Sequence, residues 1–247
     1  MIPDIPKFID IHTHILPGID DGPKNLEESA AMARFYVDLG ISQIIATPHF
    51  IPGTAWAASR EKINEKVKEV QNFFSEQNIA LQLYPGMEIA YHNNVLNRLE
   101  KGLLQSLANS QYYLLEPSFQ DSQRNLLQCA RQLMEQGLKV ILAHPERIKT
   151  FQENLEPLHK AITSGLEVQL NSGSILGKFG ETCKQTAMQL IAADNVHYLA
   201  SDAHSADNRK PLDAKEWQHL SDSLGNELLS TLCISNPQKI IQNQYDK

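Results

Sequence analysis

The 247-residue chain lacks the features that mark several common protein classes. Its three cysteines are far apart and form no CxxC pair, which argues against a disulfide framework or a thiolate zinc site. The net charge is −7 and no block of lysine or arginine occurs, which disfavours a nucleic-acid binder. No apolar run approaches the roughly 20 residues that span a bilayer, and the N-terminus lacks the regions of a signal peptide. We therefore expect a cytoplasmic protein with no nucleic-acid partner and no membrane insertion.

What the chain does contain is a repeated alternation of short apolar runs and longer helical segments. The runs are predicted strands, at residues 8–11, 43–47, 81–84, 112–115, 139–143, 166–170 and 196–200. Between them, apolar residues recur at helical spacing in 25–39, 60–76, 124–135, 153–164 and 181–194. Such alternation implies parallel strands with helical crossovers.

This pattern predicts an α/β fold, specifically a distorted seven-stranded (β/α)7 TIM-like barrel. No linker or composition break divides the sequence, so we expect a single domain over residues 1–247. An open doubly wound sheet is the alternative, although no Gly-rich phosphate loop follows any predicted strand.

Side chains that can bind metal follow six of the seven predicted strands. The carboxyl ends of barrel strands meet at one face, where barrel enzymes carry out their chemistry. Residues spread over most of the sequence are therefore expected to converge. They are His12, His14 and Asp21 after the first strand, His49 after the second, Glu88 after the third, Glu116 after the fourth, His144 after the fifth, and Asp202 and His204 after the seventh.

Several neighbouring residues have alternative roles on the sequence alone. Asp20 competes with Asp21 as the ligand, because either one could cap the turn before Gly22. Asn171 follows the sixth strand and either orients a ligand or water or makes a loop hydrogen bond. Arg147 and Arg209 are predicted to bind phosphate oxygens, the alternative being surface salt bridges. The remaining four histidines are expected to be structural or solvent-facing. His197 is expected inside a strand, and the other three are expected on helices: His92, His159 and His219.

The charge and donor types of this set favour phosphate chemistry. Five neutral imidazoles and four carboxylates can hold two or three divalent ions, with one carboxylate bridging. Three dications against four carboxylates leave a net positive site that suits a phosphate dianion. Mixed nitrogen and oxygen donors without sulfur favour Mn, Fe or Zn, and the many histidines argue against Mg or Ca.

The motifs HTHILPGIDDGP, ATPH, PGMEI, LLE, AHPER and SDAHSADNRKP occur in the order seen in the polymerase and histidinol phosphatase (PHP) superfamily. They resemble most its bacterial tyrosine-phosphatase branch of CpsB/CapC/YwqE type, from Ile9 to about Pro211. The segment 50–59 (FIPGTAWAAS) is particular to this chain, and Phe50 replaces a second histidine of many relatives.

The resemblance implies a PHP barrel with three metal ions, usually manganese, and two arginines on the phosphate, Arg147 and Arg209. By motif match it assigns His12, His14, Glu88 and Asp202 to one ion, Glu88, Glu116 and His144 to a second, and Asp21, His49 and His204 to the third.

The activity implied by the resemblance is hydrolysis of phosphotyrosine by a metal-bound hydroxide. The substrate would be a protein, a cognate bacterial tyrosine kinase that controls capsule or exopolysaccharide synthesis. A cysteine-dependent mechanism is excluded, because no cysteine begins a C-x5-R loop. The alternatives are a small-molecule phosphomonoesterase of histidinol-phosphate phosphatase type and a non-catalytic metal-binding regulator. A polymerase-associated proofreading domain is disfavoured by the acidity of the chain.

Overall fold

A computed structural model describes residues 8–117 and 123–243 and gives an α/β fold built on parallel strands. Its strands are β1 Ile9–Thr13, β2 Gln43–Ala46, β3 His49–Phe50, β4 Gln82–Pro85, β5 Glu88–Ala90, β6 Tyr112–Glu116, β7 Lys139–Ala143, β8 Glu167–Asn171 and β9 Tyr198–Ala200. Its helices are α1 Leu26–Asp38, α2 Arg60–Glu76, α3 Val95–Glu100, α4 Gln123–Glu135, α5 Lys149–Glu153, α6 Glu156–Thr163, α7 Ser172–Ile175, α8 Glu181–Ala192, α9 Ala214–Leu224, α10 Asn226–Ser230 and α11 Asn236–Gln242.

The strands hydrogen-bond into two parallel sheets, with the orders β1-β2-β4 and β3-β5-β6-β7-β8-β9. The predicted strands are all present, but β3 and β5 were not predicted. They arise because the chain pairs again just beyond two of the predicted segments. The segments themselves pair as β2 with β4, and the residues that follow them pair as β3 with β5. Pro48 lies at the interruption and has no N–H for the ladder. The hydrogen bonds therefore do not form one continuous seven-stranded sheet.

Backbone hydrogen bonds also join the carboxyl ends of β1 and β9. The amide of Asp202 donates to the His12 carbonyl at 2.9 Å, and the amide of His14 donates to the Ala203 carbonyl at 2.8 Å. Thr13 and Ala203 form an isolated parallel bridge. These bonds bring the first and last strands, and the residues that follow them, side by side.

Alternate residues of the strands pack into two different clusters. One set forms an inner cluster with α11 and the turn before β6: Ile9, Ile11, Ile45, Leu107, Ala108, Tyr112, Leu114, Ile141, Ala143, Tyr198, Ala200, Ile240 and Ile241. Intervening residues such as Ile44, Leu142 and Leu199 pack instead into the larger cluster shared with the helices. The period of two that defines a strand therefore separates an inner face from a helix-facing one.

Local signals explain some of the helix boundaries. The side chain of Asn25 caps α1 by accepting from the Glu28 amide, and Asp213 and Glu216 form a capping box on α9. The predicted helix over 153–164 is present as α6, which begins three residues later because α5 ends at Glu153. Pro157 lies in the first turn of α6, where its missing N–H is tolerated.

Two of the remaining histidines lie elsewhere than predicted. His92 precedes α3 rather than lying on a helix, and His197 precedes β9 rather than lying within it. Among the described residues, no helix has both the length and the apolarity needed to cross a membrane.

Candidate metal centre

The nine predicted ligands lie together where the strands end, and they are called the nine-residue cluster below. Glu88, the first residue of β5, is at its centre and fully buried. Its Oε1 lies 3.2 Å from His12 Nε2 and 2.8 Å from His144 Nε2. Its Oε2 lies 3.3 Å from His14 Nε2 and 2.8 Å from His49 Nδ1. One carboxylate therefore contacts four imidazoles, the position expected of a bridging ligand.

Asp202 is the second buried carboxylate of the cluster. Its Oδ1 lies 3.6 Å from His12 Nε2 and 3.5 Å from both His14 Nε2 and His204 Nδ1. Its Oδ2 faces the other way and accepts hydrogen bonds from Arg147 and Arg209 at 2.9 and 3.0 Å. Asp202 therefore connects the imidazoles to the two arginines.

The ligand atoms of the cluster fall into four overlapping groups, each with all atoms within 4.8 Å of one another: His14, Asp21, His49 and His204; His12, Glu88 and His144; His12, His14 and Asp202; and His49, Glu88 and Glu116. The first contains the three residues that the resemblance assigns to one ion, together with His14, and the third contains three of the four assigned to another, without Glu88. The middle site differs, because Glu116 groups with His49 rather than with His144. Glu116 lies two residues after Leu114 in β6, so both side chains lie on the inner face of the strand.

The structure separates the roles of the two adjacent aspartates. Asp20 is buried beside His14 and accepts from its Nδ1 at 2.7 Å, and it also accepts from the amides of Gly22 and His49 at 3.0 Å. Asp21 instead faces the cluster, with its Oδ1 3.3 Å from His204 Nε2. Asp20 thus orients a ligand histidine from behind, the arrangement typical of metal-bound imidazoles.

Gly22 holds this loop against the strand end. A Cβ atom built there would lie 2.2 Å from the carbonyl oxygen of His14, so any larger residue would push the loop away. The DDG sequence therefore works as one unit, in which glycine permits the close approach that places the aspartates.

Two buried amides, Gln169 and Asn171 of β8, form a chain behind the cluster. Gln169 Oε1 lies 2.9 Å from His12 Nδ1, Gln169 Nε2 donates to Asn171 Oδ1 at 2.8 Å, and Asn171 Nδ2 donates to Asp202 Oδ2 at 2.8 Å. Since His12 Nε2 faces the carboxylates, its Nδ1 is assigned as the N–H donor to Gln169. Asn171 therefore orients a cluster residue, one of its two predicted roles. Gln169 was not predicted, although a polar residue between Val168 and Leu170 was a signal.

The electrostatics of the cluster keep its acids ionised. Burial opposes the charged forms of Glu88 and Asp202, but the surrounding imidazoles outweigh burial and hold the pKa of both carboxyls well below the usual range. Burial likewise opposes ionisation of Asp21, yet His204 brings its pKa down to about 2. Burial, with His14 nearby, lowers the pKa of His204 to about 4, so this imidazole is neutral at pH 7.

His49 behaves differently from His204. Burial lowers its pKa, but the carboxylate of Glu88 and the hydrogen-bonding oxygens of Glu116 and Glu88 outweigh burial and raise the pKa to about 10. In the ion-free protein, His49 therefore carries a proton at neutral pH that a metal ion would displace.

Three polar atoms of the cluster fit divalent cations particularly well. His49 Nδ1, Glu88 Oε2 and His204 Nε2 are buried and make no well-aligned hydrogen bond within the described residues, although His49 Nδ1 and Glu88 Oε2 are only 2.8 Å apart. Buried polar atoms are normally paired. Unpaired atoms of this kind, converging from imidazole and carboxylate side chains, are the donors that Mn, Fe or Zn accept.

Two cluster residues have strained backbones. His144 has φ of 31° and Asp202 has φ of 52°, in the left-handed region that residues with a Cβ rarely adopt. Strain of this kind costs about 1–3 kcal/mol and concentrates at functional sites. His144 is the first residue after β7 and Asp202 the second after β9, so each turn redirects a side chain into the cluster.

A cavity of about 130 Å³ opens above the cluster and is lined by His49, Glu116, His144, Arg147, Asp202 and Arg209. The guanidinium of Arg147 lies 4.3 Å from the centre of the Phe179 ring, which holds it over the cavity. Arg147 and Arg209 are 23% and 37% exposed, so both can reach a bound molecule. Both are paired with Asp202, which lines the cavity, and Arg209 also lies 3.7 Å from Asp21 Oδ2.

Comparison with known proteins agrees with this geometry. A family model described as capsular polysaccharide synthesis, CpsB/CapC, matches residues 8–242. Tyrosine-protein phosphatase YwqE of Bacillus subtilis is 34% identical over 96% of this chain and 92% of its own length. Tyrosine-protein phosphatase CpsB of Streptococcus pneumoniae is 32% identical over 96% of this chain and 99% of its own length.

Solved structures give the same result. A chain from the structures of YwqE from Bacillus subtilis and CpsB from Streptococcus pneumoniae, described as unique metal-dependent tyrosine phosphatases, superposes with a TM-score of 0.88. Its sequence identity is 34%, and the match covers 97% of this chain and 96% of that one. The predicted resemblance is therefore confirmed, and the chain belongs to the CpsB/CapC family of capsular polysaccharide synthesis.

Proposed function

We propose that this protein is a metal-dependent protein-tyrosine phosphatase, a phosphoric monoester hydrolase of EC 3.1.3.48 type. The observation that carries the proposal is the nine-residue cluster beneath a cavity that two arginines line. Relatives named tyrosine-protein phosphatases match nearly the whole chain, which supports phosphotyrosine over other phosphate monoesters.

The cluster would hold two or three divalent ions, with manganese favoured and iron or zinc as the other candidates. The donors that support this number are the four overlapping groups of ligand atoms, with Glu88 shared between two of them. When bound, such ions supply a water molecule of lowered pKa and positive charge against the phosphoryl oxygens.

Arg147 and Arg209 would bind the phosphoryl group of the substrate. Both guanidinium groups donate to Asp202 Oδ2, and their remaining N–H groups can fork onto phosphate oxygens. They would neutralise the charge that builds on these oxygens during transfer. A tyrosyl oxygen with a pKa of about 10 leaves with little protonation, so the chain need not supply a strong acid.

We further propose that residues 1–247 form one domain whose two sheets make a distorted seven-stranded barrel. The inner cluster, to which β1, β2, β6, β7 and β9 contribute, supports this arrangement. The substrate would be a phosphotyrosine protein in the cytoplasm, specifically a bacterial tyrosine kinase of capsule or exopolysaccharide synthesis. The family description supports that setting.

Elemental analysis of the purified protein, combined with turnover of a phosphotyrosine peptide, tests the proposal. We expect bound divalent metal and turnover that a chelator abolishes, that Mn restores and that thiol alkylation leaves intact. A histidinol-phosphate substrate run in parallel should be hydrolysed poorly. Metal-replete protein that binds the ions and hydrolyses neither substrate would contradict the proposal and indicate a regulator.

A further inference from the structure

Trp56 is an exposed aromatic residue beside the candidate metal centre. With 36% of its surface exposed, it is one of only two large hydrophobic residues classed as exposed in the described part of the chain, the other being Leu103. Large apolar side chains that face solvent near a cavity are typical of ligand contacts. Nothing in the proposed chemistry so far gives Trp56 a role.

The loop that carries Trp56 is held to the end of β3, the strand that begins at His49. The Ile51 amide donates to the Trp56 carbonyl at 2.7 Å, and Phe50 forms an antiparallel bridge with Ala57. The Trp56 amide donates to Thr54 Oγ1 at 3.0 Å. The backbone of Trp56 is thus held through both its carbonyl and its amide.

The indole lies parallel to a wall of the cavity. Its ring centre is 5.6 Å from that of His49, with 14° between the ring planes, and His49 lines the cavity together with Arg147 and Arg209. The arginines are bound to Asp202, whereas Trp56 is stacked on His49, a residue that groups with Glu116 and Glu88. An aromatic surface therefore adjoins the cavity at His49, and a cationic one lines the cavity at the two arginines.

We propose that Trp56 is a specificity-determining residue whose indole stacks on the phenyl ring of the substrate phosphotyrosine. With the phosphoryl group beside the arginines, the ester oxygen carries the ring out of the cavity toward solvent, where the indole is exposed. Aromatic rings attract each other in offset or tilted pairs with centres about 4.5–7 Å apart. An alkyl phosphate offers no such ring. This inference rests on the proposed function, and it deepens it by naming the group that recognises the aryl part.

The competing role for Trp56 is to support His49, and it predicts a different pattern. A support would affect the metal ion and therefore every substrate equally. A stacking residue would affect aryl phosphates and leave alkyl phosphates and metal content unchanged. The substitution Trp56→Phe separates the two roles further, because it keeps an aromatic face and should restore aryl selectivity.

The experiment compares Trp56→Ala, Trp56→Phe and the matched control Leu103→Ala in the Mn-loaded protein. We expect Trp56→Ala to raise KM for phenyl phosphate about three- to tenfold, the equivalent of the roughly 0.5–1.5 kcal/mol of a stacked aromatic pair. KM for glycerol phosphate and the metal content should not change, and Trp56→Phe and Leu103→Ala should resemble the unaltered protein. No change with Trp56→Ala, or equal losses on both substrates, would overturn the inference.

A binding measurement keeps the inference testable without turnover. The chain has two tryptophans, and Trp217 is buried at 3% exposure. Phenyl phosphate should quench the emission of the unaltered protein, and glycerol phosphate should not. The Trp56→Phe variant, which retains only Trp217, should show no quenching. Quenching that persists in this variant would overturn the inference, whereas failure of the proposed function would appear as absent turnover in the unaltered protein.

Discussion

The candidate metal centre has two halves that differ in exposure and in their supporting contacts. The inner half consists of His12, His14, Glu88, His144, Asp202 and His204, whose side chains are at most 4% exposed. The outer half consists of Asp21, His49, Glu116, Arg147 and Arg209, whose side chains are 12–37% exposed.

Supporting contacts follow the same division. In the inner half, Asp20 holds His14, Gln169 holds His12 and Asn171 holds Asp202. In the outer half, His49 and both arginines line the cavity. The difference indicates that the inner half supplies the supported core of the ion sites, whereas the outer half completes those sites and offers most of the contact with substrate.

Replacing Glu88 should cause the largest loss of bound ions and of turnover. A smaller loss would contradict the division into an inner and an outer half. The Glu88→Gln variant keeps the shape but removes the charge that four imidazoles face. We expect it to bind fewer ions and to lose more than about a thousandfold in turnover, beyond the 10–100-fold typical of supporting partners. Elemental analysis and phosphotyrosine-peptide turnover measure both effects. Glu76→Gln, an exposed position at the end of α2, is the control. Full metal content in Glu88→Gln would contradict a central ligand role.

Replacing Arg147 should separate turnover from ion content. We expect Arg147→Ala to lower kcat/KM about 10²–10³-fold, the usual loss for one donor to a charged transition state, with unchanged metal stoichiometry. Arg147→Lys should recover only part, because an ammonium group cannot fork onto two oxygens. Arg131→Ala, on the exposed face of α4, is the control. Loss of metal from Arg147→Ala would contradict the separation of ion binding from substrate contact.

Replacing Gln169 should weaken ion binding, although Gln169 does not line the cavity in which the substrate would bind. Removal of its amide leaves His12 Nδ1 without an acceptor. We expect Gln169→Ala to weaken the affinity for Mn about 10–100-fold, and saturating Mn should restore turnover. Calorimetric titration of the chelated protein measures the affinity, with the exposed Gln185→Ala as the control. A variant with normal Mn affinity would show that the inner half does not need its amide chain.

A change of pH should alter ion binding through the protonated histidines of the cluster. The pKa of His49 is about 10 in the ion-free protein, so the imidazole is protonated at pH 7 and must lose that proton to bind. Burial lowers the pKa of His14, but Asp20, Asp202 and Glu88 outweigh burial and hold it well above its usual range, so His14 also has a proton to lose. The affinity for Mn should therefore rise with pH, by at least about tenfold per unit between pH 7 and 9. Calorimetry in two buffers of different ionisation enthalpy counts the protons released. His219→Gln, an exposed position on α9, should behave like the unaltered protein. An affinity independent of pH would contradict the protonated state of His49.

The alternation of strands and helices and the convergence of nine side chains could be predicted because both depend on periodicity and on strand ends. The interruption between β2 and β3 could not, since it depends on how Pro48 breaks the pairing of two segments distant in sequence. The family was recognisable from the order of its motifs. Which donors share one ion was less accessible, because the grouping of Glu116 with His49 depends on side-chain positions across two strands.

The choice between Asp20 and Asp21 also lay beyond the sequence. Both carboxylates are adjacent and chemically equal, and only the path of the loop decides which faces inward. That path is set by the approach of Gly22 to the carbonyl of His14. Gln169 was more accessible, since a polar residue inside an apolar strand needs a buried partner.

The second pairing of the interrupted segments has a consequence for how the centre tolerates change. In the pairing of β3 with β5, His49 lies opposite Glu88, so the main chain itself sets the spacing of these two donors. Substitutions in the surrounding core would leave that spacing intact. Deleting one residue between Ala46 and His49 would instead turn the histidine to the opposite face. The interval between donors is thus protected against changes of residue type and vulnerable to changes of chain length.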